Sequence, residues 1–239
     1  MDVGRFRADL YELAQRACAE DSHKVREKVL GIADILVMLY RKKLVKINHS
    51  ALELVCGRGL ILKGYDVKVE HRLDDVLVCD VFGTREDGQL IVEIETGFIP
   101  PEAALEPSAY AKSRIASKIA RYSRFAGRFA LGTTPSYVLD FPEFFVKPRR
   151  LRTAGEALKI KALTDVRYTK PSISIKELMD ASLESVLIID VDSGKTQEMD
   201  PQAYSRTASS FLDHNGFDQG LNRHRPSRGR GFKVEKQAD

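Results

Sequence analysis

The sequence predicts an α/β fold: a mixed, largely antiparallel central sheet flanked by helices, with a helical hairpin ahead of it. Three observations carry this. Residues 23–46 place Val25, Val29, Ile32, Leu36 and Leu39 at helical spacing. Residues 65–97 hold three strand-like stretches, YDVKVEHRL, VLVCDVFGT and QLIVEIETG, with links short enough to make an antiparallel meander. A helical segment, 108–126, then separates the third stretch from a fourth, FALGTT. A helix between strands of one sheet is a crossover, so the third and fourth strands are expected to be parallel.

The elements follow in order. Residues 5–17 and 23–46 read as two helices that form a hairpin against the main domain or a second subunit. Asn48 or Ser50 caps the next helix, which runs to about Lys63 and stops at Gly64. After the meander, the loop GFIPPEAALEP, with three prolines, leads into the crossover helix. Residues 136–146 are apolar but broken by Pro142, 156–166 and 174–182 read as helices, 185–192 as a buried strand and 200–214 as a last helix. From 215 onward Gly, Arg, Asn and Ser dominate without apolar periodicity, the composition of a disordered tail. The expected division is a helical hairpin at 1–47, an α/β domain at 48–214 and a basic tail at 215–239.

Composition narrows the class. A chain of 239 residues with 43% hydrophobic and 30% charged residues matches a soluble globular protein able to bury a core. No stretch reaches the roughly 20 apolar residues of a membrane span. The most apolar helical run, 29–40, carries Asp34, and MDVGRFRADL lacks the pattern of a signal peptide. Cys18, Cys56 and Cys79 are odd in number, have apolar neighbours and lack metal-ligand spacing, which suggests reduced thiols in an intracellular, cytoplasmic protein. The five histidines are scattered without metal spacing, and no GxSxG, Walker A or GxGxxG motif is present. A net charge of +4 implies little by itself. Its distribution says more: Lys and Arg gather at 112–128, in KPRRLR (147–152) and in RHRPSRGRG (223–231), a footprint suited to phosphates.

The most informative stretch is the hairpin VLVCDVFGTREDGQLIVEIETG, which sets Asp80, Glu93 and Glu95 among apolar strand residues. Buried unpaired carboxylates are costly, so acids in such strands point to a metal or to acid–base chemistry. If Asp87-Gly88 is a two-residue turn, paired positions sum to 175. Asp80 then faces Glu95, with Glu93 as its diagonal neighbour on the same side, and Leu90, Val92 and Ile94 point into a core. Three such carboxylates suit Mg²⁺ or Mn²⁺. A half-exposed strand with solvated acids fits the same pattern. With Asp74-Asp75 as a two-residue turn, Glu70 pairs with Cys79 and faces away from Asp80. Asp190 and Asp192 repeat the acid spacing, but beside Ser193-Gly194 they read as a turn.

The order helix–strand–strand–strand–helix–strand, with an Asp on strand two and an acidic pair on strand three, resembles the PD-(D/E)xK nuclease superfamily over residues 50–134. The resemblance implies a restriction-endonuclease-like αβββαβ core and Mg²⁺- or Mn²⁺-dependent hydrolysis of DNA phosphodiester bonds. Asp80 and Glu93 match the family's metal-binding acids. Glu95 stands where the family usually has Lys, and would serve as a third ligand or a base. Lys118, on the following helix, is the candidate replacement, sharing a face with Arg114 and Arg121. Glu53 fits the Glu that many members carry on the helix before the first strand. Lys147, Arg149, Arg150 and Arg152 would follow the DNA backbone. No membrane partner is expected, and the N-terminal helices are a candidate homodimer interface. A second class fits the missing Lys: a nuclease-like fold that only binds DNA or supports an assembly. A phosphohydrolase acting on small phosphates is a third, disfavoured by basic residues spread far beyond the hairpin.

Overall fold

The computed structural model describes residues 2–45, 47–169 and 171–214; the basic tail expected at 215–239 lies outside them. Helices α1 (Val3–Ala17), α2 (His23–Arg41) and α3 (Ile47–Leu62) come first. The meander β1 (Asp66–Arg72), β2 (Val78–Arg85) and β3 (Gly88–Glu95) follows, then α4 (Pro107–Tyr122) and β4 (Arg128–Thr133). The chain continues through α5 (Ala154–Asp165), α6 (Ile175–Asp180), β5 (Ser185–Asp190), β6 (Lys195–Met199) and α7 (Pro201–His214). Six strands form one sheet in the order β1-β2-β3-β4-β5-β6. The β3–β4 and β4–β5 pairs are parallel and the others antiparallel. This is an α/β fold with a mixed sheet flanked by helices, broadly compatible with a restriction-endonuclease-like topology.

Side-chain alternation divides the core in two. Leu90, Val92 and Ile94 of β3 join one cluster with Leu54, Val55 and Leu60 of α3, Ile32 and Leu36 of α2, and Phe6 and Leu10 of α1. Ile91 of β3 faces the other way, into a cluster with Ile115 and Ile119 of α4, Ile160 of α5, Leu178 of α6 and Tyr204 of α7. The N-terminal hairpin therefore shares its core with α3 and the sheet. Helix α3 is held between α2 and the sheet, and two glycines permit its close approach. A Cβ at Gly57 would meet Ile32 Cδ1 at 2.7 Å, and one at Gly59 would meet Thr196 Cβ at 2.9 Å. Among the described residues, no helix is long and apolar enough to cross a membrane.

Two turns differ from expectation, and both alter the site. The β2–β3 ladder closes at Arg85↔Gly88, so Glu86 and Asp87 form the turn and paired positions sum to 173. The Asp87 carboxylate is held by Arg85, and Gly88 takes a φ of 137° as the first residue of β3. Asp80 is thus set opposite Glu93 rather than Glu95. The slip moves its partner by two residues, which preserves the face. In the β1–β2 link, the Asp74 carboxylate accepts the N–H groups of Val76 and Leu77 at 2.8 and 2.7 Å, holding a longer loop. Val69↔Val81 and His71↔Cys79 then bring Glu70 across from Asp80, not away from it.

Candidate functional site at a strand fork

The β2–β3 ladder stops at Val81↔Val92, although both strands continue. Beyond that point Cys79 and Val78 pair with β1, while Glu93, Ile94 and Glu95 pair with β4. The sheet forks, and backbone groups at the fork lose their ladder partners. Carboxylates take their place: Glu93 Oε1 accepts the Asp80 N–H at 3.3 Å, and Asp80 Oδ2 accepts the Ile94 N–H at 2.6 Å. Acids that were costly as strand residues become the groups that satisfy the opened backbone.

Helix α4 crosses this fork and delivers Lys118. Its ammonium lies 2.9 Å from Glu93 Oε2, 2.8 Å from Glu95 Oε1 and 3.8 Å from Asp80 Oδ2, and it donates to the Ile94 carbonyl at 3.3 Å. Arg114, one turn earlier, lies 3.0 Å from the other oxygen of Glu95. Glu93 and Glu95 are only 2% and 4% exposed. Burial opposes the Lys118 charge, but Glu93, Asp80 and Glu95 outweigh it and hold the ammonium protonated. Glu93 is pushed up to about 8 by burial and then by Asp80, with Lys118 opposing.

Helix α3 supplies the other wall. Glu53 is fully buried, and neither carboxylate oxygen has a hydrogen-bond partner. Burial, followed by the charges of Asp80, Glu70 and Glu93, pushes its pKa to about 9. One turn earlier on the same face, His49 Nδ1 lies 3.9 Å from Asp80 Oδ1. Burial lowers the His49 pKa, favouring the neutral imidazole that a metal requires. One ligand atom each from His49, Glu53 and Asp80 lies within 4.8 Å of the others, so this cluster can chelate a divalent cation. The orphaned Glu53 oxygens fit such an ion, since a cation would satisfy both charge and lone pairs. Glu70 sits beside the cluster with a φ of 46°, a left-handed conformation rare for a non-glycine residue. Burial and then Asp80 raise its pKa to about 7.

The structure therefore brings Asp80, Glu93, Glu95, Lys118, Arg114 and Glu53 together. Lys118 occupies the notch between Glu93 and Glu95 where a cation was expected, and the group that could hold one is Asp80 with Glu53 and His49. His49 was passed over because the five histidines are scattered without metal spacing. Its i, i+4 relation to Glu53 was the available signal.

The expected phosphate-binding residues separate into distinct groups. Arg121 donates to the Pro171 carbonyl at 2.7 Å and lies over the Tyr168 ring, away from the fork. Lys147 pairs with Glu156 at 2.6 Å. Arg152 is buried over Phe144 and donates to the carbonyls of Lys147, Met179, Ala181 and Phe145, so its guanidinium is engaged within the fold. Arg149 and Arg150 are exposed on a short 3-10 turn. Arg152→Ala is expected to cost about 2–4 kcal/mol in urea unfolding, because it leaves buried carbonyls unpaired. It should leave the salt dependence of any DNA binding unchanged, whereas Arg149→Ala should lower that slope by about 1.

No family model matches the chain, and no curated protein does. Two solved structures show weak likeness. One is described as the SPO1766 protein of unknown function from Silicibacter pomeroyi, at TM-score 0.29 and 13% identity, over 67% of this chain and 80% of that one. The other is Pyrococcus furiosus SfsA in complex with Ca²⁺, at TM-score 0.27 and 16% identity, over 64% of this chain and 60% of that one.

Proposed function

We propose that this protein is a metal-dependent DNA endonuclease of the PD-(D/E)xK type, using Mg²⁺ or Mn²⁺, with its catalytic lysine supplied by α4. The observation that carries the reading is the Lys118 ammonium at 2.9 and 2.8 Å from Glu93 and Glu95, beside the unpartnered carboxylate of Glu53. A divalent cation held by Asp80, Glu53 and His49 would supply an acidified water and neutralise phosphate charge. Imidazole among the donors favours Mn²⁺ over Mg²⁺.

The chain's own groups divide the remaining work. Lys118 holds a positive charge at Nζ beside the entering phosphate, stabilising negative charge that grows in the transition state. Glu95, clamped between Lys118 and Arg114, positions that ammonium. Glu93 holds the Asp80 backbone through its N–H, which sets the fork for Asp80 to face the cation. The side chains of Asp80, Lys118 and His49 are 16%, 17% and 20% exposed, so the cluster reaches solvent on one side, where a phosphodiester can enter. Exposed Arg149 and Arg150 offer salt-dependent backbone contacts. The alternative of a fold that only binds DNA drew its support from Glu95 in the Lys position; Lys118 seated on Glu95 weakens it.

The test is nicking of supercoiled plasmid and branched DNA with Mn²⁺ or Mg²⁺. Cleavage is expected, stronger with Mn²⁺, and lost in Asp80→Asn. Binding without nicking in either metal would sink the enzyme reading. Cleavage that survives Asp80→Ala would place the chemistry elsewhere.

A further inference from the structure

Helix α2 buries Val29, Ile32, Ala33, Leu36 and Val37 against the rest of the chain. At about 100° per residue, Glu27, Gly31 and Met38 fall on the opposite side as one stripe, continued by the C-cap residue Lys42, with Ile35 at one edge and exposed Asp34, which accepts the Tyr11 hydroxyl, at the other. Ile35 and Met38 are 39% and 45% exposed. Glycine is a poor helix former, yet Gly31 sits in the middle of a 19-residue helix. Among the described residues it makes room for nothing, since a Cβ there would meet no neighbouring atom within 4 Å. Gly57 differs, because Ile32 packs against it.

We propose that two copies of this chain form a two-fold dimer through antiparallel packing of their α2 helices. Pairing positions that sum to 69 sets Gly31 opposite Met38 and Glu27 opposite Lys42, each pair occurring twice, with Ile35 of each copy opposite Asp34 of the other at the axis. The long Met38 side chain fills the groove above the bare Gly31 backbone, and the ends of the stripe carry complementary charge. A parallel arrangement would set Glu27 against Glu27, Lys42 against Lys42 and Gly31 against Gly31. The charge order selects the antiparallel form. Among the described residues Glu27 makes a loose contact with the His23 imidazole, at 3.5 Å on its own helix, and can turn toward a partner. One helix pair is a small interface beside the roughly 1,200 Å² of stable complexes, so the dimer dissociates on dilution. The inference is independent of whether the fork cleaves DNA.

Sedimentation equilibrium of the full chain over a concentration series tests it. A monomer–dimer equilibrium is expected. Met38→Glu, and the single reversals Glu27→Lys and Lys42→Glu, should each weaken it by about tenfold or more, because every change acts on both symmetry-related pairs. The double reversal Glu27→Lys/Lys42→Glu should restore association. Ile35→Cys should give a disulfide-linked dimer on oxidation, since native Cys18, Cys56 and Cys79 are all buried. Circular dichroism verifies folding of these surface variants. A chain monomeric throughout, a dimer indifferent to Met38→Glu, or a double reversal that fails to restore association would overturn the proposal.

Discussion

Lys118→Met is expected to lower metal-dependent DNA cleavage by about 10²–10³-fold, the usual cost of losing one preorganised group that stabilises transition-state charge. The same substitution removes the one cation within 4 Å of both Glu93 and Glu95 among the described residues. Breaking a buried ion pair typically costs about 3–5 kcal/mol. Part of that cost is recovered here, because burial and Asp80 already push Glu93 up, and losing the opposing Lys118 charge favours its neutral form further. The two effects separate in the double variant Lys118→Met/Glu95→Gln. Removing the second charge should restore much of the urea stability, while cleavage stays low, since a neutral amide does not replace the lost ammonium. Activity that recovers together with stability would reduce Lys118 to a structural counter-ion.

Much of the frame of this site was legible in the chain. Strict alternation of Glu93 and Glu95 with Val92 and Ile94 assigned opposite faces, and the short links allowed only a meander. The crossover helix made β3 and β4 parallel and placed Lys118 over the acids. Register was less legible, because it depends on backbone angles at single residues. Asp87-Gly88 has the composition of a hairpin turn, but the turn falls one position earlier, at Glu86-Asp87, where Arg85 pairs with Asp87. The Asp74 side chain likewise holds a longer loop than Asp74-Asp75 alone suggests. Strand β6, KTQEM, was not foreseen, since an edge strand exposed to solvent has no apolar run to reveal it. Arg152 was grouped with the residues expected to follow the DNA backbone because composition cannot distinguish a solvated guanidinium from one that binds loop carbonyls. In each case the deciding partner is distant or unusual for its type, and local pattern holds no record of it.

Glu53→Gln is expected to act in opposite directions with and without metal. In the folded state the Glu53 pKa is raised from 4.5 to about 9, so the folded chain retains a proton that the unfolded chain has released. A group that binds more protons when folded makes stability fall as pH rises between those two values, by up to about 1.4 kcal/mol per pH unit. Below that window both states are protonated and above it both are ionised, so the contribution levels off. Glu93 and Glu70, raised to about 8 and about 7, add slope of the same sign in the lower part of the window. The metal-free wild type should therefore lose thermal stability from mildly acidic to alkaline pH. Glu53→Gln should flatten that decline and be the more stable protein at its alkaline end. A cation competes with the proton for the same oxygens, so Mn²⁺ should raise the wild-type melting temperature more as pH increases, and the variant's far less. If Glu53 were merely a buried acid, the variant would gain stability and keep the full Mn²⁺ response. Loss of that response alongside the gain in metal-free stability assigns the orphaned carboxylate to the cation.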